Sequence, residues 1–327
     1  MNARRSWTGL AALVLAVSLA ACSPAETPTV SSTTTQLPAA SPADVQATPI
    51  DARVQNRLVM AGGPDWLAAG AGSLWVKRDD GTVVRLNPAD ATEIASITVA
   101  EELCQGIGAN NKAVWSCTDG GVVRIDPATN KVAATVPVAK VYDQGQIPVA
   151  FGRAWVLVGD GSKLAGIARD TVDVTIELGT RCTELAASAT ALWAVCPTGG
   201  MALRIDPGSA AVTARVPGLV DTRAIAVADH VWAGFAGGLA RIDEASARVT
   251  GVVDAAPGPG GGITATSDDV WVRTAGRFLR RVRPGDLAVL EELQAPEGSG
   301  GNVVAAYDSV WATAYDDAVL YQITPDA

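Results

Sequence analysis

The chain of 327 residues contains a single histidine, His230, and only 5% of its residues are aromatic. Sites built on paired imidazoles, whether metal-binding or proton-relaying, are therefore excluded. Its five cysteines include no Cys-x-x-Cys pair, which removes the usual zinc and dithiol spacings. A Gly-x-Ser-x-Gly nucleophile elbow and a Gly-rich phosphate loop ending in Lys are absent as well, so neither acyl-transfer nor nucleotide chemistry has its usual framework. Positive charge is also scarce: 25 Lys and Arg stand against 34 Asp and Glu, a net charge of -9. A body this acidic is a poor ligand for polyanions, so neither nucleic acid nor anionic lipid is an expected partner. The one long apolar run, Leu10 to Ala21, is too short to cross a bilayer.

What the chain has in regular supply is tryptophan. Trp75, Trp115, Trp155, Trp193, Trp232, Trp271 and Trp311 are separated by 40, 40, 38, 39, 39 and 40 residues. Each follows a run of small residues and precedes a Gly-containing turn and a strand that ends in a turn, in several repeats at Pro, as in Asp126-Pro127. A period near 40 assembled from short alternating strands predicts a β-propeller. In the first repeat the strands fall at Trp66–Gly70 (A), Ser73–Lys77 (B), Thr82–Leu86 (C) and Glu93–Val99 (D). Asn87-Pro88, Asp126-Pro127 and Asp206-Pro207 supply turn chemistry between C and D. After Trp311 only one further strand, Val319–Ile323, is available, whereas Val54–Met60 precedes the first repeat and reads as a strand D. The fold class is thus all-β, a seven-bladed propeller of four-stranded antiparallel blades, with the N-terminal strand completing the last blade and covering its edge.

The N-terminal segment reads as an export signal. Arg4 and Arg5 precede the apolar run, which ends in Leu19-Ala20-Ala21-Cys22. This box resembles the lipobox of bacterial lipoproteins, which implies cleavage before Cys22 and acylation of its sulfur. Several acyl chains on one residue give lasting membrane attachment. Residues 22–52 are rich in Ser, Thr, Pro and Ala and read as a polar tether, and residues 53–327 form the propeller. Cleavage removes two arginines, leaving a net charge of about -11. The expected location is the extracytoplasmic side of the cell membrane.

The remaining cysteines form two pairs, Cys104 with Cys117 and Cys182 with Cys196, each flanking a hairpin whose second strand carries the Trp. With Asn110-Asn111 at the turn, Cys104 is expected to face Cys117 directly, and export favours disulfides at both pairs over a metal.

Residues 122–138, Val-Val-Arg-Ile-Asp-Pro-Ala-Thr-Asn-Lys-Val-Ala-Ala-Thr-Val-Pro-Val, resemble the YVTN-type and virginiamycin B lyase-like propeller repeats. The resemblance extends over 53–327 and implies the propeller fold. In the lyase it would imply a metal-assisted site of two histidines and a glutamate; with His230 alone, that site is not present in this form.

Repeat positions separate packing from function. The Trp of every blade reads as packing between sheets. Arg85, Arg124, Arg204, Arg241 and Arg281 recur at one strand C position, with Gly166 and Gln322 in the other two blades; their stems are expected to cover apolar faces. His230 reads as an exposed residue of an A–B turn, and Asp79-Asp80-Gly81 and Asp316-Asp317 as solvated turns without a calcium-loop pattern. The D–A connections vary most, and they share one face with the B–C turns. Tyr142, Gln146, Arg181, Asp221 and Arg223 are expected to meet there as a candidate ligand-binding set. Glu101, Glu102, Asp143 and Glu184 offer an alternative carboxylate site at the channel mouth. The favoured reading is a noncatalytic, monomeric propeller with no cofactor or metal, binding a protein partner or envelope polymer. The alternative is a lyase or hydrolase acting on an exported small molecule.

Overall fold

The computed structural model of the chain describes residues 45–101, 103–138, 140–142, 145–295 and 300–325. Cys22, the signal segment and most of the tether lie outside these, as do Glu102 and Asp143.

Seven sheets are arranged as the blades of a propeller. Blade 1 runs Pro64–Gly70, Ser73–Arg78, Thr82–Leu86 and Glu93–Thr98, within two residues of each expected strand boundary. The innermost strands of the next blades are Ile107–Ala109, Val149–Ala150, Glu184–Ala187, Ala224–Val227, Ile263–Ala265 and Val303–Ala306. These strands are short and rich in small residues because seven of them crowd around one axis. Val54–Val59 pairs antiparallel with Val319–Ile323, so the N-terminal strand closes the ring as strand D of blade 7. The sheet begins earlier than residue 53, however. Thr48–Pro49 adds in parallel to the outer strand Val289–Gln294 of blade 6. The buried Ile50 then wedges between blades 6 and 7, and Arg53 pairs with Glu291. The polar composition around this stretch hides one apolar anchor, which is why the tether boundary drawn at 52 is too late.

The Trp of each blade is at most 6% exposed and packs into the next blade around the ring. Trp75 meets Ile107 and Val114, and Trp311 meets Leu74 and Val76, closing the cycle. Each such burial is worth a few kcal/mol, roughly 25 cal/mol per Å² of apolar surface. Across the B–C ladder every Trp faces the recurrent strand C position: Trp75 faces Arg85, Trp115 faces Arg124, and Trp155 faces Gly166. Every C–D ladder also carries a bulge beside that position, as at Ala133 between Val132 and Ala134.

The heads of these arginines are engaged by partners within the protein. Arg85 donates to the Pro127 carbonyl and Asn130 side chain of the next blade, and Arg241 to the carbonyls of Pro284 and Gly285. Arg124 pairs with Asp170 of the next blade. Gln322 takes over the same task in blade 7 by donating to the Pro88 carbonyl. Arg204 and Arg281 instead turn to Thr213 and Asp269 of their own blades. In the C–D turns, Asn87, Asp126 and Asp206 accept the amides of Ala89, Ala128 and Gly208, as the turn chemistry requires. His230 is half-buried rather than exposed, because its ring leans edge-on against Trp232 with centroids 6.2 Å apart.

Candidate functional site

On the face carrying the D–A connections and B–C turns, the ring holds a cup of about 990 Å³. It is lined mainly by blades 1, 2 and 3 and by the loops entering blades 4 and 7. A second cavity of about 400 Å³ follows the axis between the innermost strands. The two share no lining residue. Near both, the Ile107 amide donates to the Gly145 carbonyl and the Ile147 amide to the Ile107 carbonyl, joining blades 2 and 3. Between blades 6 and 7 the Gly262 amide donates to Gly301.

The connection into blade 3 is held by two neighbours. Glu184, buried, accepts the Gly145 amide at 2.7 Å and the Gln146 amide at 3.2 Å. Trp66 of blade 1 lies against Gly145 so closely that a Cβ there would be 1.9 Å from the indole ring. Only glycine permits that approach.

Tyr142 and Arg181 are brought together as expected. Arg181 donates to the Tyr142 hydroxyl at 2.8 Å and stacks over its ring at 5.1 Å, giving one amphipathic platform on the cup wall. The other three candidates do not join it. Gln146 faces the axial cavity, since its backbone is drawn inward by Glu184. Asp221 and Arg223 pair with each other at 2.5 Å, and Arg223 also donates to the Pro257 carbonyl. They lie outside the cup lining because opposite charges two residues apart satisfy one another locally. Of the carboxylate set, Glu184 is occupied by backbone amides and Glu101 is exposed, while Glu102 and Asp143 fall outside the described residues. Among the described residues no group of three His, Cys, Asp or Glu side chains is placed to hold a metal.

Both disulfides form, Cys104–Cys117 and Cys182–Cys196, with Cα separations of 5.4 and 3.8 Å. Cys104 does not lie directly across from Cys117: that register position belongs to Gly106, whose carbonyl accepts the Cys117 amide. Strand A starts only at Ile107, so Cys104 reaches the bridge from the preceding connection.

The position two residues after each Trp explains residues that periodicity does not single out. Lys77, Cys117, Arg273 and Thr313 all occupy it and are all buried. Each ties its strand B to a neighbouring strand, turn or connection. Lys77 pairs with Asp65 at 3.7 Å and Asp79 at 2.5 Å, and Arg273 donates to the carbonyls of Phe278 and Gly300. The Thr313 hydroxyl accepts the Asn302 amide and donates to the Asp65 carbonyl. Burial lowers the Arg273 guanidinium to about 9. In the cup Tyr315 donates its hydroxyl to Asp79, and that hydrogen bond together with the Asp79 charge pushes the phenol up to about 12. At neutral pH Tyr315 is therefore a hydrogen-bond donor and not a base.

No protein-family model matches this sequence, and no curated protein matches it. Solved structures do match in shape. A catalytically inactive virginiamycin B lyase from Staphylococcus aureus, solved with quinupristin, is 16% identical with a TM-score of 0.67, covering 83% of this chain and 99% of its own. Hydrazine synthase from Kuenenia stuttgartiensis is 12% identical with a TM-score of 0.63, over 83% of this chain and 99% of that one. The Cps50 (Swd1) propeller domain of Myceliophteria thermophila is 12% identical with a TM-score of 0.69, over 84% and 99%. At these identities the chain has the fold in common with them and nothing finer.

Proposed function

We propose that this chain is a membrane-anchored extracytoplasmic lipoprotein whose propeller binds a protein partner or envelope component without chemistry of its own. The observation that carries the reading is the Tyr142–Arg181 platform, an aromatic face and a guanidinium fixed to one another on the wall of the cup. Such a rigid amphipathic pair suits recognition, because little side-chain freedom is left to lose on binding. The arrangement lends the enzymatic alternative less support: Glu184 holds backbone, Lys77 holds two carboxylates, and the Tyr315 phenol stays protonated. Export is supported by two disulfides, which persist in oxidising compartments. Anchoring rests on the Leu19-Ala20-Ala21-Cys22 box.

Two measurements test this. Affinity capture from crosslinked native cells, comparing wild type with Tyr142→Ala plus Arg181→Ala, should yield a specific partner that the folded variant loses. Capture indifferent to the two substitutions would remove the cup from the function. For the anchor, Cys22→Ser should move the protein from the membrane fraction to the soluble one, and unchanged fractionation would refute lipidation at that residue.

A further inference from the structure

Charge is unevenly distributed around the cup. The B–C turns of four consecutive blades, 7, 1, 2 and 3, carry Asp316-Asp317, Asp79-Asp80, Asp119 and Asp160. Those of blades 4, 5 and 6, at Pro197–Gly200, Ala236–Gly237 and Thr274–Arg277, carry no carboxylate. The cup opens beside the acidic arc.

The cup's own cations are largely consumed by internal partners. Lys77 is fully buried between Asp65 and Asp79, and Arg181 is bonded to and stacked on Tyr142. Lys140 alone lines the cup as an ammonium in no ion pair among the described residues. By contrast Asp119, in the cup wall, and Glu101, whose backbone lies against the Gly81 turn, are exposed and make no hydrogen bond or ion pair among the described residues. Aromatic side chains line the same cup as Asp119: Tyr142, Tyr315 and Trp66. An open carboxylate and π-faces within one concave wall favour a cation, which gains from both charge and ring quadrupole. A cup of about 990 Å³ exceeds the size of one ammonium and admits several side chains.

We infer that the cup receives a basic peptide segment of a partner protein, its Lys or Arg side chains directed at Asp119 and Glu101 and stacked on the tyrosines. This rests on the binding reading above and specifies its ligand. Polyanions and acidic peptides are repelled by the same arc, and a salt-sensitive association follows from charges this exposed.

The test is calorimetric titration of the purified full chain with tetra-arginine, tetra-glutamate and spermidine. Tetra-arginine should bind, and Asp119→Asn plus Glu101→Gln should weaken it about tenfold, as should raising salt from about 50 to about 300 mM. Both replaced side chains are exposed and unbonded among the described residues, so the variant keeps the fold. Tetra-glutamate should give no heat. Absence of tetra-arginine binding, or binding indifferent to the substitutions, overturns the inference. Spermidine binding as tightly as the peptide also overturns it, in favour of a free polyamine. A partner captured through Tyr142 and Arg181 but unaffected by the charge substitutions overturns the basic-segment inference and leaves the binding function standing; failure of that capture as well removes both.

Discussion

Arg124 of blade 2 holds Asp170 of blade 3 through two parallel hydrogen bonds of 2.6 and 2.7 Å. The pair joins a strand C side chain to the next blade's C–D turn, the connection that Arg85, Arg241 and Gln322 make in other chemistry. It is the version that titrates. The Arg124 hydrogen bonds hold the Asp170 carboxyl below its ordinary range. A depressed folded-state value contributes stability above the unfolded carboxylate value, near 4, and loses it as pH falls through the folded one. Both side chains keep about a third of their surface exposed, so screening limits the effect. Asp170→Asn should cost about 0.5–1 kcal/mol at pH 7 and almost nothing near pH 2. Urea unfolding at both pH values measures it, and an equal loss at both would mean that charge is not the cause.

Gly166 faces Trp155 where five other blades place arginine. A Cβ there would lie 2.7 Å from Arg153 Cδ, 2.7 Å from Val174 Cγ1 and 2.8 Å from the Trp155 ring. Arg153 has taken the place of the missing arginine: it stacks over Trp155 at 5.8 Å and pairs with Asp173, the bulged residue of its own blade. Gly166→Arg alone should therefore destabilise by about 2 kcal/mol or more through overpacking. Combined with Arg153→Ser and Val174→Ala, which restore residue types used in other blades, most of that loss should be recovered. Thermal melts of the single and triple variants decide the matter, and an additive loss in the triple would sink the compensation argument.

These substitutions mark what periodicity can and cannot reveal. The recurrent Trp, the Asp-Pro turns and Val54–Val59 repeat a pattern, so blade count, packing role and ring closure could all be read from the chain. Arg153 replaces Arg85-type residues from a different strand, and Lys77, Arg273 and Thr313 perform one task with unlike chemistries, so alignment alone misses both. The cup was legible only where two loop residues lie within reach. Tyr142 and Arg181 flank neighbouring connections and meet, whereas Asp221 and Arg223 find each other first, and Glu184 answers a local demand from two backbone amides.

The two disulfides differ in access. Cys104 is half-exposed at the cup wall, whereas Cys182 and Cys196 are both fully buried. Thiol–disulfide exchange requires an approach to sulfur. Mild reductant under native conditions should open Cys104–Cys117 first and leave Cys182–Cys196 intact until the protein unfolds. Mass spectrometry after alkylation reads the order directly, and simultaneous labelling of all four cysteines in folded protein would contradict it. Because Cys117 pins the connection that carries Leu103 to Gln105 into the cup, hydrogen exchange there should rise on reduction.

Ring closure makes the sharpest demand on stability. Val54–Val59 supplies strand D of blade 7, and just before it Ile50 fills the seam between blades 6 and 7, packed with Phe278, Leu293 and Tyr321. Removing residues 1–44 takes away none of these contacts, and the melting temperature should be unchanged within error. Removing residues 1–60 leaves blade 7 with three strands and its edge open, exposes Leu320 and Ile323, and deletes Ile50 with them. That loss exceeds the few kcal/mol separating a folded domain from its unfolded state, so the shorter chain should fail to fold or should aggregate through the open edge. A truncation to residue 52 lies between the two and isolates the seam: it keeps strand D but loses Ile50 and the added strand Thr48–Pro49. Burial of one isoleucine is worth about 2–3 kcal/mol, so this chain should melt measurably lower yet still cooperatively. Three equal melting temperatures would mean that the propeller closes by some other contact, and a first truncation as damaging as the last would place structural weight on residues before Val45.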